Sequence, residues 1–314
     1  MSAVLNIVLP VFGVILAGVL SRKTGLLGAD TSEALNKFVF YVALPPLLFL
    51  SFARVPIDDI FNWPFINAYL LGTFLTLGFS VVCAWFFFAH RELPILTLHA
   101  MLGMFSNTVY LGIPLLILAY GPMGATPAII VTLMSNLIFL TLAAVLIEIG
   151  QRKESGSEQS GGLSVLTSSL KNPLIIAPLL GTIYTWLGLS LYVPVENFLD
   201  LLGRGAGATA LFAMGMSLYG FSVSAGAIEI GWITFLKLVV HPLLVWLVVR
   251  FIFQLDAFWL ETAVILAALP AGSLAFVVAQ RYGVYVQRSA AAVVVTTAVS
   301  VVTMTIVFLW AAPA

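Results

Sequence analysis

Ser106-Asn107-Thr108-Val109-Tyr110-Leu111-Gly112-Ile113-Pro114 lies inside a run of 55 residues, Leu93 to Ile147, that contains no Asp, Glu, Lys or Arg. A run of that length holds two helical spans of about 20 residues each. Within it, a polar cluster followed by Gly and Pro interrupts a helix where lipid is expected on all sides. Unpaired backbone groups are costly in hydrocarbon, so such a break survives only where protein or a water-filled cavity covers it. The stretch therefore points to a polytopic membrane protein with a transport site at a broken helix.

The rest of the chain agrees. Hydrophobic residues make up 61% of the 314 residues and charged residues 8%, against roughly 45–50% and about 25% in soluble domains. A formal charge of zero gives no reason to expect nucleic acid as a partner. The single cysteine, Cys83, excludes an intramolecular disulfide and reads as a small buried apolar residue. No basic region precedes Val4–Leu20, so that segment reads as a first span rather than a signal peptide.

Apolar segments bounded by turn or charge signals predict ten spans, near 3–21, 34–53, 63–89, 94–120, 124–148, 172–191, 204–222, 231–254, 258–280 and 288–311. Loops after odd-numbered spans then collect Arg22, Lys23, Lys37, Arg91, Arg152, Lys153, Lys171, Lys237, Arg281 and Arg288. Arg54, Arg204 and Arg250 fall on the other side, a split of 10 to 3 among all 13 basic residues. The positive-inside rule puts the first group in the cytoplasm and both termini outside, in a multi-pass cytoplasmic membrane protein.

One hydrophilic Gly/Ser-rich segment, Gly150 to Gly162, divides the spans five and five. It predicts a first half over 1–149, a flexible cytoplasmic linker over 150–171 and a second half over 172–314. Five is odd, so a second half resembling the first enters the membrane from the opposite side, the plan of inverted-repeat transporters. The fourth span is interrupted at Gly112-Ile113-Pro114 and reaches Tyr120-Gly121. The ninth is interrupted at Leu269-Pro270-Ala271-Gly272-Ser273 and reaches Tyr282-Gly283. Paired breaks in corresponding spans point to a binding site near the bilayer midplane.

Several motifs in order carry a family resemblance: Leu35-Asn36-Lys37-Phe38-Val39 leading to Leu44-Pro45, Asn107-Thr108 with Gly112-Ile113-Pro114, and Lys171-Asn172-Pro173. They continue with Ala210-Leu211-Phe212-Ala213-Met214-Gly215, then Leu269-Pro270-Ala271-Gly272 and Phe276-Val277-Val278-Ala279. With these the chain resembles the auxin efflux carrier family over nearly its whole length. The resemblance implies an all-α fold of two inverted five-helix repeats like the bile-acid/sodium symporters, with spans four and nine crossing at their breaks. It further implies a scaffold of spans one, two, six and seven that commonly dimerises, and a transport domain of spans three to five and eight to ten. It implies an organic anion, chiefly a carboxylate such as malonate or malate or an auxin-like molecule, moved by an elevator-like displacement. Ser106 stands where plant members carry Pro, and Ala275 where they carry the second crossover Pro.

Asn107 is the first candidate for substrate binding, because its amide both donates and accepts near the centre of a span. Ser106, Thr108 and Tyr110 share the region, although helical geometry turns them in different directions. Ala271, Gly272 and Ser273 are the counterparts in span nine. Gly112, Pro114 and Pro270 are expected to form the crossover, since proline removes a backbone donor and frees a carbonyl. Asn136 in span five and Pro45 in span two are supporting candidates.

Glu148 and Glu261 lie near span ends and the other acids fall in loops or at their edges, which argues against proton carriage by a buried carboxylate. His99 and His241 are expected to make ordinary polar contacts near the cytoplasmic interface. Lys237 is expected to snorkel there, with a lesser role in attracting an anion. No HExxH pairing or nucleophile with a base suggests an enzyme. The leading reading is a secondary transporter of a small carboxylate without a bound cofactor, the coupling ion, sodium or proton, being open. The alternatives are a sodium- or proton-coupled symporter of another organic solute and, behind it, a membrane sensor that moves nothing.

Overall fold

The computed structural model describes residues 2–54, 61–155, 173–219 and 226–311. Among them the protein is helical throughout and holds no strand. The helices are α1 (Ser2–Lys23), α2 (Ala29–Phe38), α3 (Leu44–Ala53), α4 (Trp63–Phe87), α5 (Leu93–Met104), α6 (Ile113–Tyr120), α7 (Ala125–Met134) and α8 (Thr141–Ser155). They continue as α9 (Pro173–Trp186), α10 (Val193–Leu218), α11 (Ala227–Phe235), α12 (His241–Leu247), α13 (Ala257–Ala268), α14 (Ser273–Tyr282) and α15 (Val286–Ala311).

Among the described residues, five continuous helical segments are long and apolar enough to cross a membrane: Asp30–Leu50, Trp63–Phe87, Ala125–Gln151, Ala227–Phe253 and Val286–Ala311. The helices α5 and α13 are different, at 12 residues each. At 1.5 Å per residue each covers about 18 Å, short of a hydrocarbon core of about 30 Å. Both stop at a break and a second helical piece follows.

Several segments join their neighbours through π-helical turns that the sequence pattern does not reveal. Val39–Ala43 precedes Pro45, Thr108–Gly112 precedes Pro114, and Leu236–Val240 precedes Pro242. Proline has no N–H for the carbonyl four residues back, and a widened turn absorbs that loss without ending the helix. Ser135–Leu140 and Val248–Phe253 are π-helical without such a proline.

The chain forms two compact units. One comprises α1–α3, α6, α7, α9 and α10, with their connections. Here α1 packs along α10 and α3 along α9. Glycines set the closeness of the first pair: a Cβ on Gly18 would stand 2.1 Å from the Phe212 carbonyl oxygen, and one on Gly215 2.0 Å from that of Ile15. Small residues permit such backbone contact, which is the main source of helix association in a solvent as apolar as the side chains. Polar contacts reinforce it: Ser32 and Ser217 share a 2.6 Å hydrogen bond, and Thr185 Oγ1 donates to the Ala53 carbonyl at 2.8 Å.

The other unit comprises α4, α5, α8 and α11–α15. Its interior is built by α5 against α4 and α8, α12 against α4 and α13, and α15 against α11, α13 and α14. Cys83 is a free, buried thiol on α4, as its sequence setting suggests.

Two expected boundaries change. The helix containing span seven begins at Val193, well before 204, because Pro194 fits its first turn and Asp200 and Arg204 pair one turn apart. The first part of the expected linker, 150–155, continues α8. Gln151 Nε2 donates to the Tyr282 carbonyl at 2.9 Å, and a Cβ on Gly150 would meet Pro94 Cδ at 2.4 Å, so that turn is packed rather than free. The rest of the linker lies outside the described residues.

Candidate functional site

In one compact unit the two breaks meet. The helix α5 ends at Met104, and Phe105 turns extended, with φ −80° and ψ 111°. The helix α13 ends at Ala268, and Leu269 follows with φ −56° and ψ 152°. Ser106 and Ala271 then pair as an isolated antiparallel bridge. The N–H of Asn107 donates to the Pro270 carbonyl at 3.0 Å, and the N–H of Gly272 donates to the Phe105 carbonyl at 2.8 Å. Two crossing segments thus satisfy each other's backbone, as non-helical chain at membrane depth requires.

The sequence that follows α13 dictates this. In a continuing helix Pro270, Ala271 and Gly272 would be the positions supplying N–H groups to the carbonyls of Leu266, Ala267 and Ala268. Pro270 has none to supply. The Ala271 N–H goes instead to Thr296 Oγ1 on α15 at 3.2 Å, and that of Gly272 goes to Phe105. Gly272 also permits the close approach, since a Cβ there would stand 2.7 Å from the Phe105 ring. The helix α14 restarts at Ser273 with no side chain capping its first turn.

Ser106 Oγ and the Asn107 side-chain nitrogen are buried with no hydrogen-bond partner among the described residues. The Tyr69 hydroxyl approaches Ser106 without reaching hydrogen-bond geometry. Buried polar atoms in native proteins are paired with few exceptions, and each unpaired donor carries a penalty that a ligand can remove. The Asn136 side-chain nitrogen, in the π-helical turn Ser135–Leu140, is likewise buried and unpartnered.

The crossing therefore brings together Ser106, Asn107, Pro270, Ala271 and Gly272, with Ser273 opening α14. Thr108, Tyr110 and Gly112 lie on the following π-helical turn, all buried, and the Thr108 N–H turns back to the Ser106 carbonyl at 2.9 Å. Pro114 lies in the first turn of α6, and Pro45 in the first turn of α3. The extended segment after α5 is thus Phe105–Asn107, and the helix has resumed before Gly112-Ile113-Pro114 is reached.

Two features escaped the sequence reading. Lys237 does not snorkel to an interface: it is wholly buried, and its Nζ donates to the Ala267 carbonyl at 2.6 Å and stands 3.2 Å from His241 Nδ1. His241 is equally buried, with Nε2 3.3 Å from Thr73 Oγ1, so it is an interior group rather than an interfacial one. The carbonyl Lys237 reaches is one that the break after α13 orphans. Spacing along span eight could not reveal that acceptor.

The second feature is Glu229, at an element edge in sequence yet only 5% exposed. One carboxylate oxygen stands 2.6 Å from His90 Nε2 and accepts from the Tyr285 hydroxyl, while the other meets Arg288 at 3.2 Å. Burial pushes the Tyr285 hydroxyl pKa well up, and its bond to the Glu229 carboxylate adds to the shift. His99 lies beside this cluster, with ring centroids of His90 and His99 6.4 Å apart, and its Nδ1 is 3.1 Å from Ser80 Oγ.

Buried, unpartnered polar atoms beside a crossing of two interrupted helices make this a candidate binding site. Comparison with known proteins gives the family. The family model described as "Membrane transport protein" matches residues 3–308, and the chain belongs to that family, in keeping with the auxin efflux carrier resemblance. A "Putative malonate transporter" of Rhizobium meliloti (strain 1021) is 30% identical over 309 residues, covering 97% of this chain and 95% of that protein. The "Uncharacterized transporter YfdV" of Escherichia coli (strain K12) is 28% identical over 308 residues, 94% of this chain and 93% of its own. A "Lysosomal cholesterol signaling protein" of Mus musculus is 24% identical over 222 residues, 67% of this chain but 25% of that protein.

Proposed function

We propose that this membrane transport protein is a secondary transporter of a small carboxylate, with a dicarboxylate such as malonate the first candidate. The observation that carries the reading is the pair of buried, unpartnered polar groups, Ser106 Oγ and the Asn107 amide, at a backbone crossing of two broken helices. A carboxylate oxygen would accept from the Asn107 amide, and the uncapped first turn of α14 would add N–H groups and the positive end of a helix dipole. The relative named as a malonate transporter, matched along nearly all of both chains, supports the cargo class.

In this reading the chain crosses the cytoplasmic membrane ten times as two inverted five-span repeats, with both termini outside. Spans three to five and eight to ten move as a transport domain against a scaffold of spans one, two, six and seven, through which two copies associate. The likeness to a signalling protein covers a quarter of that protein, so it favours no second reading.

The test is uptake of radiolabelled malonate into vesicles reconstituted with purified protein. Asn107→Ala is expected to reduce kcat/KM roughly tenfold or more, the effect of losing one hydrogen bond to a charged group. Uptake kinetics identical to those of the parent protein would remove Asn107 from the site. Absence of uptake of any carboxylate by the parent protein would overturn the reading itself.

A further inference from the structure

We propose that Lys237 and His241 form a proton-carrying pair that takes up one proton with the anion and releases it with the anion on the other side. The inference rests on the carboxylate-transport reading and adds its coupling ion. It starts from a directed chain of hydrogen bonds at the broken end of α13.

The Thr73 hydroxyl donates to the Tyr69 carbonyl at 2.8 Å. Its single proton is thereby used, so toward His241 Nε2, 3.3 Å away, Thr73 Oγ1 can only accept. With its proton on Nε2, His241 completes that contact and keeps a lone pair on Nδ1, and the Ala267 carbonyl lies within reach of the same ring. That lone pair accepts from Lys237 Nζ at 3.2 Å, while a second Nζ–H goes to the Ala267 carbonyl at 2.6 Å. Two N–H groups on Nζ meet two acceptors, so a neutral amine completes the network.

Both of these acceptors are neutral, and a third proton on Nζ would add a charge that neither balances. The titratable groups on the packed neighbours are otherwise engaged or lie elsewhere. On α4, Tyr69 meets His241 edge to face and Cys83 is a free buried thiol. On α5, His99 Nδ1 bonds Ser80, while its Nε2 is buried without a partner among the described residues. On α11, Glu229 is held by His90, Tyr285 and Arg288, the last from α15. Glu261 lies on α13 six residues before Ala267. A wholly buried ammonium without a counter-ion is strongly disfavoured, so protonation needs an anion brought in from outside.

The position suits that exchange. The Ala267 carbonyl lost its helical donor because the Ala271 N–H is drawn to Thr296, so Lys237 binds the negative end of the half-helix that leads into the crossing with Asn107. Leu236, the residue before it, lies 3.6 Å from where a Cβ on Gly103 would stand, close to the other break. An anion at the crossing raises the proton affinity of the pair, and the proton raises the affinity for the anion. By linkage the two effects are equal. The proton comes from water on the loading side, bonds to the Nζ lone pair, and returns to water on the other side, so no other reactant is required.

The test is calorimetric titration of the purified protein with malonate at pH 8, in buffers of different ionisation enthalpy. Uptake of about one proton per malonate bound is expected for the parent protein. Lys237→Met, which cannot be charged, and Lys237→Arg, which cannot be neutral, are both expected to abolish it. In vesicles, an inwardly acid-to-alkaline pH gradient is expected to drive malonate accumulation by the parent protein beyond that in protein-free controls, and to fail with either variant. Malonate transport without proton uptake, driven equally by a sodium gradient, would overturn the proposal and leave the transport reading intact. Proton uptake that survives in a folded Lys237→Met protein would overturn the assignment to this pair. No malonate binding or transport at all would remove both. Should neither variant fold, malonate binding by the parent protein without proton uptake still overturns the proposal.

Discussion

The N–H of Gly272 donates to the carbonyl of Phe105 at 2.8 Å, and a Cβ on Gly272 would stand 2.7 Å from the Phe105 ring. Glycine is required here by closeness, not by an unusual backbone conformation, since its φ is −68°. Gly272→Ala is expected to destabilise the protein by about 1–3 kcal/mol, the range for overpacking a filled interior. Thermal unfolding in detergent measures this. Combining Gly272→Ala with Phe105→Leu should recover part of the loss, whereas simple additivity would place the clash elsewhere.

Thr296 holds the break after α13 open by accepting the Ala271 N–H at 3.2 Å. Thr296→Val keeps the shape and leaves a buried N–H unpaired, at a cost of about 1–3 kcal/mol. Thr296→Ser is expected to unfold near the parent temperature. Equal melting temperatures for the Val and Ser variants would show that the hydroxyl is not needed.

Alpha helices α1 and α10 touch backbone to backbone at Gly18 and Gly215. Gly215→Leu must push them apart, because no side chain fits 2.0 Å from a carbonyl oxygen. Loss of folded protein in detergent extraction, or a melting temperature lower by several degrees, is expected. Full retention of both would mean that α1 and α10 do not pack as described.

Tyr285, between α14 and α15, has a hydroxyl pKa raised in the folded state, first by burial and then by its bond to Glu229. The neutral phenol is thus favoured by folding. Its contribution is fully present below the unfolded pKa of about 10 and is lost as pH rises through the folded value. The stability advantage of the parent protein over Tyr285→Phe is expected to be constant from pH 7 to about 9 and to shrink above about 10. A difference between the two that does not change with pH would refute the raised value.

Much of the fold is legible from residue order. The 55 uncharged residues, the polar cluster at Ser106–Thr108 and the Pro/Gly pair at 270 and 272 announce two interrupted helices, and the low charge announces the membrane. What is not legible is where each break falls. Pro114 draws attention because proline stops helices, yet a π-helical turn absorbs it and the chain opens at Phe105–Asn107. The turns at Val39–Ala43 and Leu236–Val240 are hidden for the same reason, since a widened turn leaves the apolar pattern nearly unchanged.

The site divides along the same line. The sequence by itself determined that this is a helical membrane protein of a transport family, with Asn107 and Pro270 at interrupted spans, because hydropathy and helix-breaking residues act locally. Only the tertiary structure decided that the Asn107 N–H meets the Pro270 carbonyl, that Thr296 diverts the Ala271 N–H, and that Lys237 fills the acceptor so exposed. Those partners are separated along the chain by 163, 25 and 30 residues. Each pairing satisfies a backbone group that the local sequence leaves unsatisfied, and the identity of the donor or acceptor that comes to it is a property of packing.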